Sequence, residues 1–395
     1  MNDYFADFHI HVGINEQGRW VKIPTSKELT LRNILQEAAH RKGMQLIGIV
    51  DALSPLVRSD LDLLVDEGLL TLDAQGGYRY DNTLTLILGA EIETTEPGGG
   101  SAHTLVYLPD AGLMAGFART MSRHIRNIHL SSQNAHMTLR DLVRTAAPFG
   151  ALIVPAHIFT PHKGLYGSAT DRLARILPEA ELRDIAAVEL GLSADSDLAD
   201  RIAELAAYTF LSNSDAHSPE KIAREYNVLS LNAPTFAECA MAFRRQAGRA
   251  VAANYGLDPR LGKYHRTFCP ECDFFDPDHR TLAERCPRCG GRKIVRGVFD
   301  RIDSIADFPE PSHPEHRPPY RHQVPLTFIP GLGKKGLNKL LADFGTEMHV
   351  LHRAESGQLA RLVGEKTARA ILEARSGTAA ITAGGGGVYG KLAKN

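Results

Sequence analysis

The sequence predicts an α/β chain in which a distorted (β/α) barrel is followed by a metal-held cysteine ribbon and a helical module. Three observations carry that expectation. Short β-like runs alternate with helical stretches through the first 255 residues, metal-binding residue types stand at the ends of those runs, and two CPxC pairs lie beyond them. Such alternation marks layered or barrel α/β folds, whose functional groups gather where strands end and loops begin.

Strands are predicted at 5–10, 46–50, 85–88, 104–107, 151–154, 187–190 and 208–211, with helices between several of them, as at 30–41 and 199–207. The barrel is expected over residues 1–255. A ribbon follows over 256–300, entered through the linker NYGLDPRLGKYHRT, and a Pro/His-rich linker or strap over 301–325 resists regular structure. Helical patterning resumes over 326–377. A Gly-rich tail, 378–395, is expected to be mobile, because consecutive glycines bury nothing and cost entropy to order.

At 395 residues the chain exceeds one typical domain, and its 43% hydrophobic and 23% charged fractions are those of soluble globular protein. No apolar run approaches the roughly 20 residues of a membrane span. The opening MNDYFADFHIHV lacks a secretory pattern, and four of five cysteines sit in CxxC pairs, so a cytoplasmic, nucleoid-associated protein without a membrane partner is expected. No GxxxxGK[ST] motif is present, which argues against ATP as a partner. Residues 1–255 carry 23 Lys+Arg against 30 Asp+Glu, while residues 256–395 carry 22 against 16. An acidic front suits a cation-gathering site and a basic rear suits a polyanion.

The strand ends supply the chemistry. Asp7, His9 and His11 alternate in DFHIHV, so all three face one way from a strand. Asp51 ends the second strand, Glu91 follows the third in GAEIE, His103 opens the next, and His157 follows in PAHIF. Glu189 lies in the strand at 187–190, and Asp215 and His217 close the series in SNSDAH. A single buried His or Asp is ordinarily a hydrogen-bonded core group. An HxH and a DxH at two strand ends, with acids and imidazoles between them, point instead to paired metal ions. Two cations about 3.5–4 Å apart stabilise both the attacking and leaving oxygens of a phosphoryl displacement.

This series resembles the polymerase-and-histidinol-phosphatase (PHP) superfamily, through DFHIH, the strand ending in Asp51, GAEIE, PAH and SDAH. The resemblance implies a distorted PHP-type barrel whose catalytic set, His9, His11, Glu91 and Asp215, holds one divalent ion (Zn2+, Mg2+ or Mn2+). It further implies that Glu91, His103 and His157 hold a second, with Asp51 and His217 at an open third position. One departure bears on that third ion, because Ala52 stands where the family often has histidine.

Cys269, Cys272, Cys286 and Cys289 form two knuckles with the spacing of a structural Zn2+ site, all four ligands coming from protein. Arg288 and Lys293, beside the second knuckle, are candidate phosphate contacts. In IPGLGKKGLNKLL a Gly-x-Gly turn, Gly331 and Gly333, precedes Lys334 and Lys335, and LVGEKTARAILEAR repeats the plan more loosely. These segments resemble tandem helix-hairpin-helix units. Their glycines let backbone N–H groups approach a phosphate, and their lysines add salt-sensitive attraction.

Taken together, the modules resemble the endonuclease Q family over nearly the whole chain, with PTSKELTLRNIL, PAHIFTPHKGLYG, SNSDAHSPEKIAREYN, NYGLDPRLGKYH and GGGGVYGKL as the specific segments. The resemblance implies a metal-dependent endonuclease of DNA repair, nicking DNA 5′ to uracil, hypoxanthine, xanthine or abasic sites. Lys163 and Tyr166, in the loop after His157, are candidate DNA contacts. No segment identifies a sliding-clamp partner. The alternatives are a PHP-type phosphatase or phosphodiesterase acting on a nucleotide or small phosphoester, and a non-catalytic DNA-binding protein.

Overall fold

A computed structural model describes residues 1–275, 285–382, 384 and 388–392. In its front part the strands are β1 (Asn2–Ile10), β2 (Leu46–Ile49), β3 (Leu70–Leu72), β4 (Tyr78–Tyr80), β5 (Leu84–Thr95) and β6 (Ser101–Leu108). They continue as β7 (Leu152–Pro155), β8 (Val188–Glu189), β9 (Phe210–Leu211), β10 (Tyr226–Leu231) and β11 (Ala250–Gly256). β1, β2 and β5 lie side by side and parallel. β10 pairs antiparallel with β1 and β11 with β10, while β6 and β7 extend the other side from β5.

The ring closes through polar links. The Ala186 N–H donates to the Ile153 carbonyl, and β8 pairs with β9. Asn227 Nδ2 donates to the Ser212 carbonyl at 2.8 Å and Asn254 Nδ2 to the Phe210 carbonyl at 3.0 Å, tying β9 to β10 and β11. Strands buried on both faces need continuous apolar side chains, and LTLIL in β5 provides them.

The structure extends the predicted strand at 85–88 to twelve residues, so Glu91 and Glu93 project from within β5. Gly89 and the two acids had masked its continuation. Nor did the sequence pattern anticipate β3, β4, β10 or β11. The helix expected over 30–41 is α-helical only at Leu31–Gln36 and widens to a π-turn over Glu37–Lys42.

Beyond the barrel, β12 (Phe268–Cys269) and β13 (Phe274–Phe275) form the described hairpin of the ribbon. The segment 301–325, expected to lack regular structure, is tied down along much of its length. It contains the end of the helix Val298–Ile305 and the strand β14 (Tyr320–His322), which adds to β11 in parallel. Arg317 explains why its prolines do not leave it loose. The guanidinium bonds both oxygens of buried Asp200 and lies 3.3 Å from the centre of the Phe210 ring.

Helices Lys334–Phe344, Glu347–His352, Ser356–Val363 and Glu365–Ser376 make the rear module. Gly331 and Gly364 turn the chain at φ +84° and +82°, values that side chains with a Cβ resist. Buried Lys42 pairs with Glu347 at 3.1 Å, and the Tyr226 hydroxyl lies 2.6 Å from His352, so the module packs against the barrel.

The tail is not wholly loose either. β15 (Ile381–Thr382) pairs with β16 (Lys391–Leu392), and the Gly384 and Gly390 N–H groups donate to the carbonyls of Arg260 and Leu261. Glycines 385–387 of the expected mobile run, and His279 near the ribbon cysteines, lie outside the described residues. No helix among the described residues is long and apolar enough to cross a membrane.

One buried acid makes stability pH-dependent. Glu225 has no solvent exposure, accepts one bond from the Leu257 N–H and leaves Oε2 without a partner. Burial raises its pKa from 4.5 to about 8 against that single hydrogen bond. The folded chain therefore holds a proton that the unfolded chain has lost, so this contribution is complete below pH 4.5 and disappears as pH rises through about 8. Glu225→Gln, which mimics the neutral acid, should raise the melting temperature by several degrees near about pH 8.5 and by much less near about pH 5. Equal shifts at both pH values would contradict this.

Candidate metal centre

β1 delivers His9 and His11 to one end of the barrel, and Asp7 locks that arrangement. Its carboxylate accepts from Ser214 N at 3.0 Å and Ala223 N at 2.9 Å, stapling the loop that bears Asp215 to β1. Asp215 and His157 hold left-handed φ angles of +45° and +30°. Such non-glycine conformations cost about 1–3 kcal/mol and persist where surrounding structure enforces them, commonly at functional sites.

Two groups that could each hold an ion result, His9 with His11 and Asp215, and Glu91 with His103 and His157. Asp215 Oδ1 stands 3.5 Å from both His9 Nε2 and His11 Nε2. Glu91 lies between the groups, with Oε1 3.5 Å from His9 and His157, and Oε2 3.6 Å from His11. These gaps are long for hydrogen bonds. They match the ~3.4 Å expected between neighbouring ligands placed about 2.05 Å from a tetrahedral ion. His9 Nε2 is buried and has no hydrogen-bond partner, as a nitrogen awaiting an ion would be, while His103 Nδ1 stands 2.8 Å from Glu91 Oε1. The residues fit divalent metal.

The remaining acids orient the imidazoles. Glu189 Oε2 lies 3.0 Å from His9 Nδ1 and Asp51 Oδ1 3.0 Å from His11 Nδ1, each turning Nε2 inward. Carboxylates placed this way fix the tautomer and raise ligand basicity. Asp51, expected at a third ion, is therefore reassigned. Its oxygens also accept from Val12 N at 2.5 Å and from the Ser131 hydroxyl, and it joins no ligand group. His217 turns Nδ1 to the Asp215 carbonyl at 2.9 Å and packs its ring 4.6 Å from His11, and it joins no ligand group.

Electrostatics keep the cluster charged. Burial alone would lower His9, but Glu189 and Asp215 outweigh it and hold the pKa well above its ordinary value. Burial would raise Glu91 and Asp215, yet His103 and Lys22 around the first, and His9 and His11 around the second, hold both well below the carboxylate range. Lys22 was not foreseen. Its Nζ lies 3.0 Å from Glu91 Oε2 and bonds the Ser132 hydroxyl, in a loop where a lone lysine looks solvated.

A cavity of about 400 Å³ opens over these ligands. Its far wall includes Lys221, Arg224, Lys263, Tyr264 and Tyr389, the last delivered by the tail hairpin. Lys263 Nζ lies 4.7 Å from the Tyr264 ring centre and 5.8 Å from that of Tyr389. The segments NYGLDPRLGKYH and GGGGVYGKL were noticed in the sequence, but nothing there singled out these side chains.

The remaining candidates divide. Tyr166 is fully buried and donates to Glu204 at 2.8 Å, so it is a core residue and not a DNA contact. Lys163 is partly exposed and paired with Glu93 at 2.5 Å. Arg288, Lys293, Gly331, Gly333, Lys334 and Lys335 are all exposed. The four ribbon thiols lie within 4.8 Å of one another. Their 3.5 and 3.6 Å sulfur separations approach the ~3.8 Å edge of a tetrahedral Zn–S4 unit. Cys239 is a buried core thiol whose pKa burial raises.

No family model matches the chain. It is 45% identical to the uncharacterized protein YqxK of Bacillus subtilis over 99% of its own length and all of that protein's. It is 33% identical to the crystal structure of the lesion-specific endonuclease PfuEndoQ from Pyrococcus furiosus, covering 99% of this chain and 95% of that one at TM-score 0.84. The chain belongs to the endonuclease Q family. A second endonuclease Q structure, bound to a 27-mer duplex with an abasic lesion at the active site, matches at 33% identity and TM-score 0.85, over 100% and 97% of the two chains. Barrel, ribbon and helical module thus fall within one endonuclease Q architecture.

Proposed function

We propose that this protein is a metal-dependent, lesion-specific DNA endonuclease that nicks the strand 5′ to deaminated bases (uracil, hypoxanthine or xanthine) and abasic sites. The observation that carries this reading is the pair of candidate ligand groups, with Glu91 between them, at a cavity of about 400 Å³ in a member of the endonuclease Q family. The match to an endonuclease Q bound to abasic-lesion DNA supports the substrate class.

Divalent ions bound at these groups would acidify water and neutralise phosphate charge. Water then adds to phosphorus, the bond to the upstream 3′ oxygen breaks, and that oxygen leaves as a hydroxyl while the phosphate stays with the damaged nucleotide. Glu189 and Asp51 hold the imidazoles in the orientation this requires. A damaged nucleotide rotated from the duplex meets the Tyr264 and Tyr389 rings and the Lys263 ammonium, which offer stacking and charge without specifying one base. The exposed glycine turn and lysines of the helical module suit undamaged backbone on either side.

The test incubates labelled duplexes bearing uracil, hypoxanthine, xanthine or an abasic site, with and without Mg2+, Mn2+ or Zn2+. Metal-dependent single nicks 5′ to the lesion, leaving extendable 3′-hydroxyl ends, are expected. Equal cutting of undamaged duplex, or hydrolysis of only small phosphoesters, would overturn the reading.

A further inference from the structure

We propose that Lys22 is a catalytic residue, a built-in ammonium that binds the scissile phosphate and takes the position a third metal ion would otherwise need. This deepens the endonuclease reading and rests on it for the identity of the phosphodiester.

Lys22 is placed as a site cation. Its side chain is only 12% exposed, and its Nζ lies 3.0 Å from Glu91 Oε2, on the carboxylate oxygen opposite the one facing His103 and His157. The Ser132 hydroxyl bonds both Lys22 Nζ and Glu91 Oε2, fixing the ammonium from a second side. An ammonium has three donors. Two are met by protein, and the residue lines the open cavity, so the third can meet an anion there.

The position offers a further ion too few ligands. Asp51 accepts from Val12, His11 and Ser131, and Ala52 offers no ligand and is fully buried. His217, with Nδ1 on a carbonyl, keeps only its Nε2, and one imidazole does not hold a third ion. A third divalent ion would also have to approach a resident positive charge. The ammonium instead supplies fixed, preorganised charge where negative charge grows on the phosphate oxygens.

The experiment uses the full-length protein and Lys22→Met, which keeps the length of the side chain and removes its charge. Elemental analysis after equilibration with Zn2+ should give three ions per wild-type chain, one for each described ligand group. Lys22→Met should keep that count or gain one, melt at the wild-type temperature, and bind lesion duplex within about threefold of wild type. Its single-turnover cleavage should fall about 100-fold or more, the loss typical of removing one preorganised transition-state donor.

Four ions in the wild type, or wild-type cleavage by Lys22→Met, would overturn the proposal. So would a lower ion count in the variant, because Lys22 would then merely brace Glu91. Ion counting does not need DNA cleavage, so a failed nuclease assay and a failed Lys22 assignment are distinguishable.

Discussion

Asp215→Asn should lower lesion-dependent cleavage by at least about 1,000-fold while leaving DNA affinity within about threefold. Asp215 is the carboxylate of the first ligand group, equidistant from the inward nitrogens of His9 and His11. Those imidazoles hold its pKa well below normal despite burial, so the residue acts as an anion. Asparagine keeps the shape and tolerates the left-handed φ of +45° that this position imposes. The substitution therefore removes charge without adding backbone strain, a separation that alanine would not give. Elemental analysis should show a weakened ion at this group, and fluorescence anisotropy with an abasic duplex should show near-normal binding. Full activity in Asp215→Asn would remove the metal role assigned to the whole first group.

The side chains that converge at the candidate metal centre were legible because strand periodicity is rigid. Residues two apart on a buried strand share a face, so DFHIH announced His9 and His11 before any contact was known. Glu91, His103 and His157 were likewise visible as polar interruptions of apolar runs. What a strand-end acid does was not legible. Asp51 and Glu189 look like any ligand in sequence, and only the nitrogen each one meets makes it an orienting group. Lys22 gave no periodic signal, since it reaches Glu91 from a loop 69 residues away. Tyr166 misled for a related reason. Its glycine-flanked loop looks exposed, but the loop folds inward and buries the ring against Phe159. The short barrel-closing strands depend on asparagine links between distant segments, and a local pattern carries no trace of those.

Cys286→Ser should release one metal ion, unfold the ribbon and weaken DNA binding about tenfold, while the barrel keeps its ions. Among the described residues, the apolar cluster under the knuckles is Cys269 and Cys286 with Cys272, Phe274 and Ile294 packed on them, far too little to hold a fold alone. Metal binding therefore supplies much of the folding free energy, and in zinc-finger peptides it reaches roughly 10–16 kcal/mol. Serine removes one thiolate and leaves three ligands around a thiophilic ion. The barrel does not share this dependence, since its core is a large, contiguous set of buried side chains. Limited proteolysis should open new cuts confined to residues 268–296. Each phosphate that the exposed Arg288 and Lys293 face no longer neutralises should reduce the salt dependence of binding by about one unit of slope. Cleavage at saturating DNA should stay within about fivefold of wild type, because no ligand of the catalytic ions has moved. An unchanged affinity and salt slope in a variant shown to have released its ion would make the ribbon a brace for the chain and remove it from the DNA-binding surface.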